Sequence, residues 1–271
     1  MSLSSNDKKN NSSSIYERFL QSLLLRVRPA PIASLLKRIL RVHRVVFETS
    51  SGRFWIDPIS NFGMALSRDG VYELGMKRTL EEYLKTGMTF IDLGANEAYF
   101  TVLAAKQVGR SGRVIAIEPQ ERLLPIIDKN LRLNDADWVT VINVAITNAS
   151  GLVTIHLAAD TNTGASGQYR MAKYRLATQE VQARTLSQIL DEKKIGHVDL
   201  MKVDIEGAEY EVLLGSPEVF EEGRIRAIAL ELHPTILAAR GKEVSDITDM
   251  LTRNGYRQIT SFGSNVWERF S

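Results

Sequence analysis

The stretch Thr89-Phe90-Ile91-Asp92-Leu93-Gly94-Ala95-Asn96-Glu97-Ala98-Tyr99-Phe100 constrains the fold more than any other part of the 271-residue chain. An apolar run leads into an acid, then a turn of small residues, then a run of helical character. This is the first strand, turn and helix of an α/β protein whose ligand sits at the carboxyl end of that strand. A second apolar run, Arg113-Val114-Ile115-Ala116-Ile117, ends at Glu118. The spacing suits an acid that holds ribose hydroxyls at the tip of the second strand.

A pyrophosphate needs glycines in the pattern G-x-G-x-x-G, so that the backbone can come close. Counted from Gly94, the other two positions hold Asn96 and Tyr99. Asp92 stands just before the turn, where it would repel a phosphate. A cofactor with a sugar and no phosphate fits better. S-adenosylmethionine is the common one, and an acid can hold its ammonium group. A dinucleotide, or a tight turn with no ligand, remains the alternative for this segment taken alone.

The rest of the chain supports a strand–helix alternation. Expected strands are 88–93, 113–118, 138–144, 198–204 and 226–232, with helices 97–108, 121–134, 185–193 and 206–215 between them. A helix at 243–254 precedes strands 256–262 and 265–270. Regular alternation argues for a parallel sheet with helices on both faces. Upstream, 45–56 reads as a hairpin around Ser50-Ser51-Gly52, and 79–85 as a helix. Residues 158–180 form a long polar stretch between strand-like runs 151–157 and 180–184. Such loops are usually functional or disordered, so it is either a substrate-facing lid or a solvated insertion.

Residues 1–14 read as a disordered tail. Residues 15–44 read as two basic amphipathic helices split by Pro29 and Pro31. These helices suit a cap on the domain, a homodimer face or contact with a membrane surface. The net charge of +2 gives no sign of a nucleic-acid partner. The chain has no cysteine, which excludes a thiol nucleophile and thiolate metal sites. No apolar run reaches the ~18 residues of a membrane span, and a cytoplasmic location is expected.

A second constellation is Val198-Asp199-Leu200-Met201-Lys202-Val203-Asp204-Ile205-Glu206-Gly207-Ala208-Glu209. It reads as a buried strand that ends in acids and opens a helix, with Asp204 at the ligand-binding edge of the sheet. Glu206 and Glu209 share a helix face at this spacing, or serve only as N-terminal helix charges. The next strand ends Glu231-Leu232-His233-Pro234, which brings His233 to the same rim. Of the four histidines, His233 is the one placed for proton transfer.

These residues together resemble the FkbM-type S-adenosylmethionine-dependent methyltransferases. The match rests on Asp92-Leu93-Gly94-Ala95-Asn96, Glu118-Pro119, Asn130-Leu131-x-x-Asn134, Asn143-Val144-Ala145-Ile146, Asn162-Thr163-Gly164-Ala165-Ser166, Lys202 to Glu209, and Glu231 to Pro234. Val71-Tyr72-Glu73 resembles the family's approach to its first strand. The resemblance spans roughly 70–260. It implies a Rossmann-like class I fold with a seven-stranded, mostly parallel sheet and an antiparallel last strand. The methyltransferase domain is placed at 87–271, with the helices and hairpin of 15–86 ahead of it.

The resemblance also implies methyl transfer to a hydroxyl of a small molecule, glycan or secondary metabolite. Glu73, Asp92, Gly94, Ala95, Asn96, Glu118, Pro119, Ala145 and Asp204 form the expected cofactor set, with Ala145 near the adenine. An alcohol must lose its proton as it is methylated, so a general base is expected among Asp204, Glu206 and His233, with Lys202 a weaker candidate. Mg²⁺ held by Asp204, Glu206, Glu231 and His233 is a further option. Glu97-Ala98 departs from the family's usual aliphatic residue and glycine. It puts a negative charge near the cofactor's ammonium end and supports a rival reading as a non-catalytic cofactor-binding protein. Tyr169 and Lys173 have the spacing of an NAD-dependent short-chain oxidoreductase pair, the other rival.

Overall fold

The structure is a computed structural model that describes residues 43–169 and 177–270. The expected tail, most of the two basic helices, and Lys173 lie outside the described residues.

The central strands read as near-continuous apolar runs because both faces of the sheet are covered. In β3 (Thr89–Leu93), Phe90 faces one core, whereas Ile91 and Leu93 face the other. Its neighbours β4 (Arg113–Ile117) and β9 (Leu200–Val203) divide their side chains in the same way. The seven-stranded sheet has the order β11-β12-β10-β9-β3-β4-β5. Here β5 is Thr140–Ile142, β10 Ala227–Leu230, β11 Tyr256–Ser261 and β12 Ser264–Arg269. The pairs β10/β9, β9/β3, β3/β4 and β4/β5 are parallel. The last strand, β12, runs antiparallel to both β10 and β11, as the resemblance implied. The chain leaves β3 toward β4 and β5, then returns to β9 on the opposite side. That reversal opens a crevice at the carboxyl ends of β3 and β9, where ligands bind in open α/β sheets.

The hairpin of β1 (Val45–Thr49) and β2 (Gly52–Ile56) is as expected. Two helices follow, α1 (Asn61–Asp69) and α2 (Leu74–Tyr83), where only 79–85 was expected. The periodic signal of α1 is interrupted by Gly63 and Ser67, which hides it from the sequence. Helices α3 (Tyr99–Val108) and α4 (Leu124–Arg132) cover the same face as the hairpin. Asn130 and Asn134 tie the hairpin to α4. Trp55 N–H donates to Asn130 Oδ1 at 2.6 Å, and Asn130 Nδ2 donates to the Glu97 carbonyl at 2.8 Å. Asn134 accepts from Arg53 N–H and donates to Arg53 O, as a strand partner would.

The expected strand 138–144 is short because the chain leaves the main sheet after Ile142. It enters a separate three-stranded sheet of β6 (Ala145–Ile146), β7 (Gly151–Leu157) and β8 (Ala177–Arg184), in the order β6-β8-β7. The other face carries α5 (Leu186–Glu192), α6 (Glu209–Leu214), α7 (Pro217–Glu221) and α9 (Val244–Arg253). A short α8 (Pro234–Ala239) follows β10 directly. Helix α6 starts at Glu209 and not at 206. Glu206 and Gly207 have φ of 51° and 94°, so they turn the chain before the helix begins. Among the described residues, no helix is long and apolar enough to cross a membrane.

Candidate active site

Two clefts meet over the carboxyl ends of β3 and β9, each with an empty volume of about 670 or 660 Å³. Both are lined by Gly94, Asn96, Gly164, Asp204 and Glu206. The first runs under Glu118, Pro119, Val144, Ala145 and Ile146. The second holds Glu73, Ala95, Glu231, His233 and the rings of Phe62, Tyr72, Tyr99 and Phe100. Most expected site residues therefore share one continuous surface. Asp92 is the exception. It is 1% exposed and lies beneath the floor, accepting from Thr101 Oγ1 at 2.6 Å.

Gly94 makes the floor possible. Its φ is +82°, and a Cβ there would stand 2.0 Å from the Asp204 carbonyl oxygen. Only glycine lets the tips of β3 and β9 approach so closely. Glu118 is held from three sides: Asn96 N–H donates to one oxygen at 2.8 Å, and Gln120 N–H and Nε2 donate to the other at 3.0 Å. Burial still pushes its carboxyl above the ordinary range. The start of the polar stretch 158–180 closes over this region. Thr163 Oγ1 donates to Asn96 Oδ1, and Gln120 Nε2 donates to the Thr163 carbonyl. Arg122 pins the same segment through Asp160, the Ala158 carbonyl and Ser166 Oγ.

Lys202 is buried under the second cleft, with Nζ 3.4 Å from Asp204 Oδ2 and 3.7 Å from Asp92 Oδ1. Burial would lower its pKa, but Asp204, Asp92 and Glu73 outweigh burial and raise it. The neighbouring carboxylates thus favour the ammonium form of Lys202. His233 caps the start of α8. Its Nδ1 lies 2.8 Å from Glu209 Oε1 and its Nε2 3.7 Å from Glu206 Oε2. Its pKa is pushed up from 6.5 to about 9, first by the hydrogen bond to Glu209. Burial opposes this, and the charges of Glu209, Glu206 and Asp204 add to it. These contacts favour the protonated form of the ring. Asp204, Glu231 and His233 each offer an atom within 4.8 Å of the others.

Sequence reasoning misjudged Glu97. Its carboxylate is 2% exposed and bound bidentately by Arg44, at 2.8 and 2.9 Å. The charge is compensated, so the departure gives no support to a degenerate site. Ala98 takes up φ +65°, a left-handed conformation that glycine would adopt without strain. Gln120 and Gln168 were given no site role by the sequence, and Glu209 was read only as a partner of Glu206 on a helix face or as a helix N-terminal charge. The small-residue run Asn162 to Ser166 was the available signal for the covering segment.

The crevice at this switch point is lined by acids, with Glu118 at the second strand tip, the arrangement expected of a methyltransferase-type cofactor cleft. The sequence profile of the Methyltransferase FkbM domain matches residues 92–258, more than half of the chain. The chain belongs to this family and is an S-adenosylmethionine-dependent methyltransferase; the NAD reading is not favoured. It is similar to the AMB antimetabolite synthetase AmbE of Pseudomonas aeruginosa, 25% identical over 61% of this chain and 9% of that protein. It is also similar to the protein-L-isoaspartate O-methyltransferase of Caenorhabditis elegans, 33% identical over 27% of this chain and 32% of that protein. The chain thus spans under a third of either relative's length. A crystal structure of methyltransferase FkbM from Methylobacillus flagellatus KT aligns with a TM-score of 0.43 at 17% identity, covering 71% of this chain and 50% of that one.

Proposed function

We propose that the chain methylates a hydroxyl oxygen of a small molecule, glycan or secondary metabolite held in the second cleft. The observation that carries this reading is the position of Asp204 and Glu206 on the boundary of both clefts. The cofactor would occupy the first cleft, held by Glu118 for its ribose, Pro119 and Ala145 for its base, and Gly94 and Asn96 at its sulfur end, with Ala95 lining the adjoining second cleft. It supplies an electrophilic methyl group whose carbon–sulfur bond breaks as the acceptor oxygen bonds to the carbon. The chain's own task is alignment and the management of one proton.

Asp204 or Glu206 takes that proton. Their side chains are 29% and 24% exposed and so are reachable from the cleft. His233 holds the acceptor oxygen as a hydrogen-bond donor, because Glu209 keeps the ring protonated. The test is acceptor turnover in Asp204→Asn, Glu206→Gln and His233→Ala, with S-adenosylhomocysteine affinity followed separately. Loss of a general base lowers turnover roughly 10²–10⁴-fold. Wild-type turnover in all three variants would show the proton assignment to be wrong. The grouping of Asp204, Glu231 and His233 favours a second reading, in which these groups hold Mg²⁺ beside the acceptor. Loss of activity in EDTA, restored by Mg²⁺, supports it.

A further inference from the structure

The polar lining of the first cleft is almost fully engaged within the chain. Both oxygens of Glu118 accept N–H groups. The Gln120 carbonyl oxygen accepts from Arg122, and its NH₂ donates to Glu118 and Thr163. Ser166 Oγ accepts from Ala158 N–H and Arg122. Asn96 Oδ1 accepts from Thr163. Gln168 differs. Its Oε1 is buried and has no hydrogen-bond partner among the described residues, although the side chain lines the cleft. A buried acceptor without a donor is rare in native proteins and points to a partner that arrives with a ligand.

The backbone on either side of Gln168 is fixed. Gly167 exchanges two hydrogen bonds with His156, at 2.8 and 3.1 Å. A Cβ on Gly167 would meet Glu206 at 3.1 Å, so the segment lies directly against the acidic turn. Tyr169 stacks under the Arg240 guanidinium, 3.2 Å from its ring centroid. Arg240 is itself bound to the Gly207 carbonyl and to Glu211. Gln168 is thereby held on a braced segment that lines the cleft.

S-adenosylmethionine brings three kinds of hydrogen-bond donor: ribose hydroxyls, an ammonium and the 6-amino group of adenine. The hydroxyls suit the carboxylate of Glu118. The ammonium suits Asp204 and Glu206, at the end shared with the second cleft. The base suits the apolar part formed by Val144, Ala145, Ile146 and Ile155. The donor left over is neutral, and so is the acceptor left over. We infer that the Gln168 side chain reads the cofactor's base, its Oε1 accepting from the 6-amino group of adenine. The braced 166–169 segment is then a base-specificity element, and its role is the same whichever acceptor is methylated.

The test compares two nucleosides that differ at this one group, S-adenosylhomocysteine and S-inosylhomocysteine, whose 6-oxo group accepts instead of donating. Titration calorimetry on the wild-type chain, Gln168→Leu and Gln168→Ala gives the affinity ratio within each protein. That ratio does not depend on the fraction of a variant that is folded. The wild-type chain should prefer the adenine compound roughly 10- to 100-fold. In both variants the adenine compound should weaken about tenfold, with the preference falling to within about threefold. Equal binding of the two by the wild-type chain overturns the inference, as does a variant that keeps the full preference. A wild-type chain that binds neither compound overturns the cofactor assignment, and this inference with it.

Discussion

Glu209→Gln probes the electrostatics behind the proposed mechanism. The Glu209 carboxylate is fully buried, with Oε1 accepting from Gly207 N–H at 3.0 Å and meeting His233 Nδ1 at 2.8 Å. A histidine pKa raised from 6.5 to about 9 means that the folded chain holds the proton more tightly than the unfolded chain. Its stabilisation is therefore complete below about pH 6.5 and is lost as pH rises through about 9. At ~1.4 kcal/mol per pKa unit, the shift amounts to about 3 kcal/mol at pH 6, roughly half that at pH 8, and almost nothing at pH 10. Glutamine keeps the shape and the two acceptor contacts, but removes the charge. Its NH₂ would stand where Oε2 has no partner among the described residues. That orphaned donor costs about 1–3 kcal/mol at every pH. Glu206 and Asp204 still act on the ring, so the variant's deficit should be larger at pH 6 than at pH 10 by about 1–2 kcal/mol. Urea unfolding of both proteins at pH 6, 8 and 10 measures this, and an NMR titration of His233 should show its pKa falling. A deficit that is constant across the three pH values refutes the argument.

Two further substitutions test the frame of the site. Gly94→Ala places a methyl 2.0 Å from the Asp204 carbonyl at φ +82°; it should lower the thermal midpoint and weaken S-adenosylhomocysteine more than about tenfold by calorimetry, because the strand tips must part. Arg44→Ala leaves Glu97 buried without its bidentate partner and should cost about 3 kcal/mol in urea unfolding, more than Glu97→Gln, which strands only the better-exposed Arg44.

The parts of the fold that rest on local pattern were legible in the chain. β3, its turn and α3 announce themselves because the apolar run, the small residues and the helical run are contiguous. The Lys202 to Glu209 block is legible for the same reason. What could not be read depends on long-range partners. Glu97 looks like a stray charge until Arg44 arrives from 53 residues upstream. His233 looks like a neutral base until Glu209, 24 residues away on another element, is brought against it. Lys202 alternates on its strand like any buried residue, and only the approach of Asp92 and Asp204 shows that it stays charged. Gln168 sits in a polar stretch whose composition resembles a solvated loop, and its significance lies in a missing partner, which no spacing encodes. Asn130 of α4 and Asn134 just beyond it belonged to the family pattern, yet their contacts are structural: they fasten the hairpin to this helix.

The acidity of the crevice can then be understood as a single balance. Asp92, Asp204, Glu206 and Glu209 converge where β3 and β9 end, and such a cluster would repel itself if left alone. Lys202 is shared by Asp92 and Asp204, while His233 is shared by Glu206 and Glu209. Four carboxylates thus meet two cationic side chains inside the chain. Such a site would favour a sulfonium cofactor, positive at the atom that carries the methyl group. The demethylated product is neutral at sulfur, so the same side chains would hold it less tightly. Neutralising either shared cation should therefore alter the ratio of S-adenosylmethionine to S-adenosylhomocysteine affinity more than it alters either affinity's dependence on the adenosine half. This separates the electrostatics of the sulfur end from the recognition of the base by Gln168.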